Sequence, residues 1–259
     1  MKKRSDMVLG VFKSSRPLGR ALLIAGFAGI ATRSIAGPPY VADDPEPTDF
    51  KHYEVYLFAT GENNRSGRTA AAGIDFNYGA APDLQLTAVL PVVDDRASSE
   101  PERMGIGNIE LATKYRFAHQ KTIGWDVAVF PRLFLRSASR TVAEQHTSFL
   151  LPLWFEKDWD DWSTFGGGGW VYNRGSDSQD FYLLACALTH QFTNRLQLGA
   201  EIQHQSPDTH GGRASTGAGV GMHFDVNDHW HWLAYGAPGL QNAAETARYA
   251  WYTSILFTY

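Results

Sequence analysis

Ser206, His204 and Asp208 are the residues of this sequence whose types suit covalent chemistry. A serine becomes a nucleophile when a histidine takes its proton and a third group orients that histidine. Residues two apart on a strand share a face, so His204-Gln-Ser206 points both side chains the same way. Attack on an ester also needs donors aimed at the developing oxyanion, and the sequence identifies none. A His/Ser pair beside a loop is more often part of a rim than a catalyst. His204, His210 and His223 lack tight metal-ligand spacing, and His229 and His231 simply flank Trp230. The run Gly166–Gly169 is followed by no Lys-Ser/Thr pair and no strand-to-helix switch, so it is not a phosphate loop. No metal, no cofactor and no catalytic residue is expected.

A larger constellation consists of charges at alternate positions of otherwise apolar segments. It comprises Glu54, Asp75, Glu110, Lys114, Arg116, Asp126, Arg132, Arg136, Glu156, Glu201 and Arg248, with Asn77, Gln203, His223 and Asp225 in phase. If the apolar face meets lipid, this set lines an interior. Acids and bases mixed in this way either pair to pack a lumen or form a selective rung, with Lys114, Arg116, Arg132 and Arg136 facing acids across a narrow channel. Pairing is the commoner role. Tyr56, Phe130, Phe134 and Trp154 share that face, where they would stack on aromatic solutes or fill space.

The elements that must position these residues are strands. In Leu196-Gln-Leu-Gly-Ala-Glu-Ile-Gln-His-Gln205 the apolar and polar residues alternate, and Ile109–Phe117 and Tyr53–Ala59 do the same. Segments near 69–78, 84–92, 124–136, 147–157, 162–172, 180–192, 214–225, 230–238 and 248–259 complete about twelve strands. Every second connection is short: Gly79–Asp83, Ala118–Thr122, Asp158–Asp161, Thr193–Arg195 and Val226–Asp228. The others, Gly61–Arg68, Asp94–Gly105, Ser137–His146, Asn173–Ser178, Ser206–Arg213 and Gln241–Ala247, are longer and polar. An even number of antiparallel strands with loop lengths sorted between two ends is the pattern of an outer-membrane barrel. A soluble sandwich has no reason to sort them. Tyr78, Trp125, Trp159, Trp162, Trp230 and Tyr259, with Phe117, Phe192 and Phe224, fall beside the short turns, as an aromatic girdle at one interface would. The expected fold is therefore all-β: a single transmembrane antiparallel up-and-down barrel of about twelve strands, with short periplasmic turns and longer extracellular loops. In hydrocarbon every backbone N–H and C=O must be paired internally, so a sheet there must close.

Composition narrows the classes. The 259 residues are 44% apolar and 19% charged, with a single cysteine, Cys186. Disorder, a coiled coil and a disulfide framework are excluded. No run of about 18 apolar residues exists to make a spanning helix. Residues 1–36 read as a signal peptide: Lys2, Lys3, Arg4, Lys13, Arg16 and Arg20 precede apolar Ala21–Ala31, and Ser34-Ile35-Ala36 offers a small-residue cleavage site. That segment holds seven of the 23 Lys+Arg and one of the 27 Asp+Glu, which leaves the remainder at net −10. A nucleic-acid partner is excluded at that charge. Residues 37–50, rich in proline and acid, cannot form a helix or a central strand. They read as a periplasmic tail in preference to a lumen plug, ahead of a barrel over 51–259.

Gly37-Pro-Pro-Tyr-Val-Ala-Asp-Asp-Pro-Glu-Pro47 and Gly105-Ile-Gly-Asn-Ile-Glu-Leu-Ala-Thr-Lys-Tyr-Arg-Phe117 resemble the outer-membrane barrel family named for the meta-cleavage pathway of phenol degradation, often labelled "transporter". The resemblance runs from about Gly37 to the C-terminus. It implies a pore or uptake protein of the bacterial outer membrane for a small solute, with apolar or aromatic compounds as candidates. The implied partners are outer-membrane lipids and that solute. The last strand, Trp251–Tyr259, resembles the C-terminal signal read by the barrel-assembly machinery. His204-Gln-Ser206 resembles the His-x-Ser-Asn signature of lipid A deacylases, but Pro207 stands where that family has Asn. An outer-membrane lipid hydrolase and a structural or adhesive barrel acting through its loops are the alternatives.

Overall fold

The computed structural model describes residues 38–97, 101–142 and 146–259. The expected signal peptide, 1–36, lies outside these described residues. The described residues form fourteen strand segments in one sheet. They are β1 (Tyr53–Asn64), β2 (Gly67–Ala81), β3 (Leu84–Ala97), β4 (Arg103–Ile106), β5 (Glu110–Ala118), β6 (Asp126–Val129), β7 (Arg132–Phe134), β8 (Ser148–Trp159), β9 (Trp162–Tyr172), β10 (Phe181–Thr193), β11 (Leu196–Gln205), β12 (Ser215–Asp225), β13 (Trp230–Gln241) and β14 (Tyr249–Thr258). β4 and β5 both pair with β3, and β6 and β7 both pair with β8. Each couple is therefore one interrupted strand, and the barrel has twelve. β14 pairs antiparallel with β1, Glu54 opposite Thr258 and Asn63 opposite Tyr249, which closes the sheet on itself. Among the described residues no helix is long and apolar enough to cross a membrane. Among the described residues the one helical turn, α1 (Gln120–Ile123), sits in the connection between β5 and β6.

Local chemistry accounts for the turns. Asp83 and Asp160 take left-handed backbone (φ 62 and 49°) in the tight links after β2 and β8. Aspartate tolerates that region because its short side chain bonds locally. Gly61–Arg68, expected as a long loop, is a tight hairpin: β1 and β2 stay paired out to Asn64 and Gly67. The Asn64 side-chain carbonyl accepts from the Ser66 and Gly67 amides at 2.8 and 3.1 Å, and so makes the bend with only two connecting residues. The strand expected over 124–136 breaks between β6 and β7, where Pro131 has no N–H to give the ladder.

Alternation sorts the faces as the closed sheet requires. Leu57, Ile74, Leu90, Leu111, Leu153, Leu188, Ile202 and Ile255 are exposed on the outer wall. The interior carries more apolar side chains than expected. Phe58, Phe165, Leu183, Leu233, Tyr235, Tyr252 and Leu256 join Trp154 and Phe130 in one buried cluster inside the barrel. Tyr40, Val41 and Ala42 belong to the same cluster. This corrects the expected periplasmic tail. Residues 40–48 run up into the bore as a strap, because once inside, their apolar side chains have a core to join and their polar groups find partners on the wall.

Candidate functional site

The site is the bore, and its first component is a buried charge ladder on the β5–β7 wall. Arg132 and Glu110 form a two-pronged pair, Nε to Oε1 at 2.5 Å and Nη2 to Oε2 at 3.0 Å, with neither side chain reaching solvent. Phe130 and Phe134 lie 5.2 and 5.8 Å from the guanidinium carbon and cover it. Nearby, Asn77 donates to Asp75 at 3.0 Å, and Gln85 donates to Asn77 at 2.7 Å. Arg116 donates to Asp83 at 2.9 Å and lies 3.6 Å from Glu46 and 3.9 Å from Asp126.

The second component is the strap. Lys114 reaches from β5 to Asp43 Oδ1 at 2.8 Å and also donates to the carbonyls of Asp44 and Glu46, at 2.9 and 3.2 Å. On the opposite wall the Ala42 amide donates to Glu201 at 2.6 Å. The Gln85 side-chain carbonyl accepts from the Thr48 amide at 2.8 Å. Tyr40 packs edge-on against Phe165 and Tyr235, with centroids 5.7 and 5.8 Å apart. Its ring fits because the wall has no side chain there: a Cβ on Gly199 would fall 2.5 Å from the Tyr40 hydroxyl, and one on Gly221 would fall 2.7 Å from its ring. Burial pushes the Asp43 carboxyl up to about 6, against the pull of Lys114. Burial raises Glu46 in the same direction.

Below the strap, at the short-turn end, lies a cavity of about 840 Å³. Its walls include Asp44, Glu54, Tyr56, Asp75, His223 and His231.

Of the expected lining, Glu54, Asp75, Glu110, Lys114, Arg116, Asp126, Arg132, Glu156 and Glu201 lie on strands in phase with the interior, and Lys114 and Glu201 touch the strap. Arg136 and Arg248 do not belong with them. Both are exposed beyond strand ends, on the connections after β7 and before β14, so strand alternation no longer aims them inward. Asp43, Thr48, Gln85, Gly199 and Gly221 escaped sequence reasoning. The first two lie in a segment with no periodicity, and glycine carries no side chain to read.

The expected girdle residues Tyr78, Trp125, Trp159, Trp162, Trp230 and Tyr259 are exposed on the outer wall at the short-turn end. A second set, Trp170, Tyr172, Tyr182, Tyr249 and Trp251, is exposed at the other end. Trp162 and Trp170 share one face of β9 eight residues apart, about 26 Å along the strand. With a tilt of about 40° that is roughly 20 Å of height, close to the apolar band of an outer-membrane barrel. His204 and Ser206 lie in phase with exposed Ile202, on the outer side. His204 is bonded to Thr216 at 2.9 Å, and the Ser206 hydroxyl accepts from the Tyr182 amide at 2.9 Å.

Comparison with solved structures places this architecture among outer-membrane barrels. The fold matches an outer-membrane channel from Pseudomonas putida F1 with a TM-score of 0.65 at 12% identity, over 83% of this chain and 98% of that one. It matches the KdgM porin at 0.53 and 13% identity, over 79% and 98%. The translocator domain of the autotransporter NalP from Neisseria meningitidis matches at 0.53 and 11% identity, over 94% and 97%. No curated protein sequence matches. A family model covers residues 75–250, and on that match this barrel of the bacterial outer membrane belongs to the family described as "Putative MetA-pathway of phenol degradation".

Proposed function

We propose that the protein is an outer-membrane pore for passive uptake of a small solute, without catalysis, and that the strap is its gate. The observation that carries this reading is that the bore is occupied by a separable stretch of chain as well as by wall side chains. Twelve strands fall between small barrels filled by their own side chains and wide open porins. Here the strap supplies the missing filling. It is held by a few polar bonds and one aromatic ring, so its withdrawal would join the cavity at the short-turn end to the space above. Aromatic walls at Tyr56, Phe130 and Trp154 and the family's link to phenol degradation favour apolar or aromatic solutes. The short turns would face the periplasm, and Trp251–Tyr259 would be the segment offered to the barrel-assembly machinery.

Planar-bilayer recording and liposome swelling with a small phenolic solute test the proposal. The intact chain should show low conductance with rare openings. Lys114→Met, which removes the strap's main anchor, should raise the open time and the flux. A folded Lys114→Met barrel with neither conductance nor flux would remove the pore reading. The hydrolase alternative is not favoured, because His204 and Ser206 are each bonded elsewhere and not to one another.

A further inference from the structure

We propose that His223, Asp225 and His231 form a binding site for one divalent transition-metal ion of borderline softness, such as zinc, at the short-turn mouth of the bore. Register builds the site. Asp225 stands directly opposite His231 in the β12–β13 ladder, and His223 precedes Asp225 by two residues on the same inward face. Three donors therefore converge from two bonded strands without help from a loop. One ligand atom from each of His223, Asp225 and His231 lies within 4.8 Å of the other two. A tetrahedral ion with bonds of about 2.0–2.1 Å needs its ligand atoms about 3.4 Å apart. Asp225 Oδ1 is 3.1 Å from His223 Nε2 and 2.6 Å from His231 Nδ1, so small side-chain rotations would admit the ion. Two imidazoles and one carboxylate suit zinc, nickel or copper(II) better than calcium or magnesium.

The hydrogen bonding around His231 points the same way. Thr258 Oγ1 lies 3.2 Å from His231 Nε2 and 3.4 Å from the Asp228 carbonyl, so it can accept from Nε2 when its own proton turns to that carbonyl. With the proton on Nε2, the Nδ1 lone pair faces the carboxylate at 2.6 Å. Two lone pairs at that distance repel. With no ion present the proton belongs on Nδ1, where it donates to Asp225, and a cation bound between the two groups would take that proton's place and leave Nε2 to donate to Thr258. A ring fixed by an outer hydrogen bond is also the usual arrangement for a metal-bound histidine. The adjoining cavity favours a cation. Asp44, Glu54, Asp75 and Asp228 line it, and its lysine, Lys114, is already bound to Asp43.

The site stands independently of the pore reading, so a failed conductance assay leaves it untouched. The test uses the full chain, free of any histidine tag, folded in detergent, stripped with a chelator and titrated with zinc by calorimetry. One zinc per chain is expected. His223→Ala and His231→Ala should each weaken binding at least tenfold, and Thr258→Val about tenfold. His204→Ala and His210→Ala should leave it unchanged. Copper(II) loaded in place of zinc should show two nitrogen ligands by electron paramagnetic resonance. The near-isosteric Asp225→Asn should also lose affinity, and it decides the matter if an alanine variant fails to give the heat-modifiable gel band of a folded barrel. No zinc bound at millimolar concentration overturns the proposal. So does unaltered binding in the folded His223→Ala/His231→Ala double variant, which would leave the cluster as a hydrogen-bonded clamp between β12 and β13.

Discussion

Arg132 and Glu110 show how much depends on a single buried pair. Neither reaches water, so the charge of each is tolerable only because the other is present. Removing one partner leaves an uncompensated charge. Glu110→Gln or Arg132→Met alone should cost about 3–5 kcal/mol, measured by urea unfolding of the barrel in lipid vesicles. Replacing both together with apolar residues of similar volume should restore most of that loss. Equal losses in single and double variants would show that the pair is not the stabilising unit. Both residues were legible as inward-facing, because strand alternation is a local property. Their partnership was not legible, since it depends on Glu110 lying opposite Phe134 in the β5–β7 register, which places Arg132 within reach.

At the scale of elements, the strap behaves unlike the strands. Its docking depends on Lys114, on Glu201 and on the room left by Gly199 and Gly221. Gly221→Val should force Tyr40 off its seat and expose residues 40–48 to added protease, with the barrel itself resistant. Protection equal to that of the unaltered chain would mean that the ring does not hold the strap. Docking should also respond to pH. Asp43 has a raised pKa when docked, near 6 against the ordinary 3.8, so the docked state binds more protons between those values. Docking is therefore strongest below about pH 4 and weakens as pH rises through about 6. Glu46 acts in the same direction. Strap protection measured between pH 4 and pH 8 should fall along that course, and Asp43→Asn should flatten it.

The whole molecule is fixed by its solvent. An apolar belt between two aromatic rings matches a bilayer in height, so the cost of a misplaced charge should depend on depth. Leu188→Arg, on the outer wall midway along β10, should destabilise by about 2–4 kcal/mol in vesicles. Trp162→Arg, at the short-turn interface, should cost about 0–1 kcal/mol through the charge itself. Equal penalties at both depths would count against a membrane-spanning belt at this height.

The sequence alone determined the strands, their inward and outward faces and the closed sheet. Period two is written residue by residue, and hydrocarbon allows no open edge. The interruption at Pro131 and the paired stretch over Gly61–Arg68 depended on local bonding that periodicity does not report. Only the tertiary structure decided what occupies the bore. Tyr40–Thr48 has no period to read, and its place is set by how its burial inside compares with solvation outside, which cannot be judged before the walls exist. The meeting of His223 with His231 likewise came from ladder register, because residues far apart in type pattern become neighbours only when two strands are aligned.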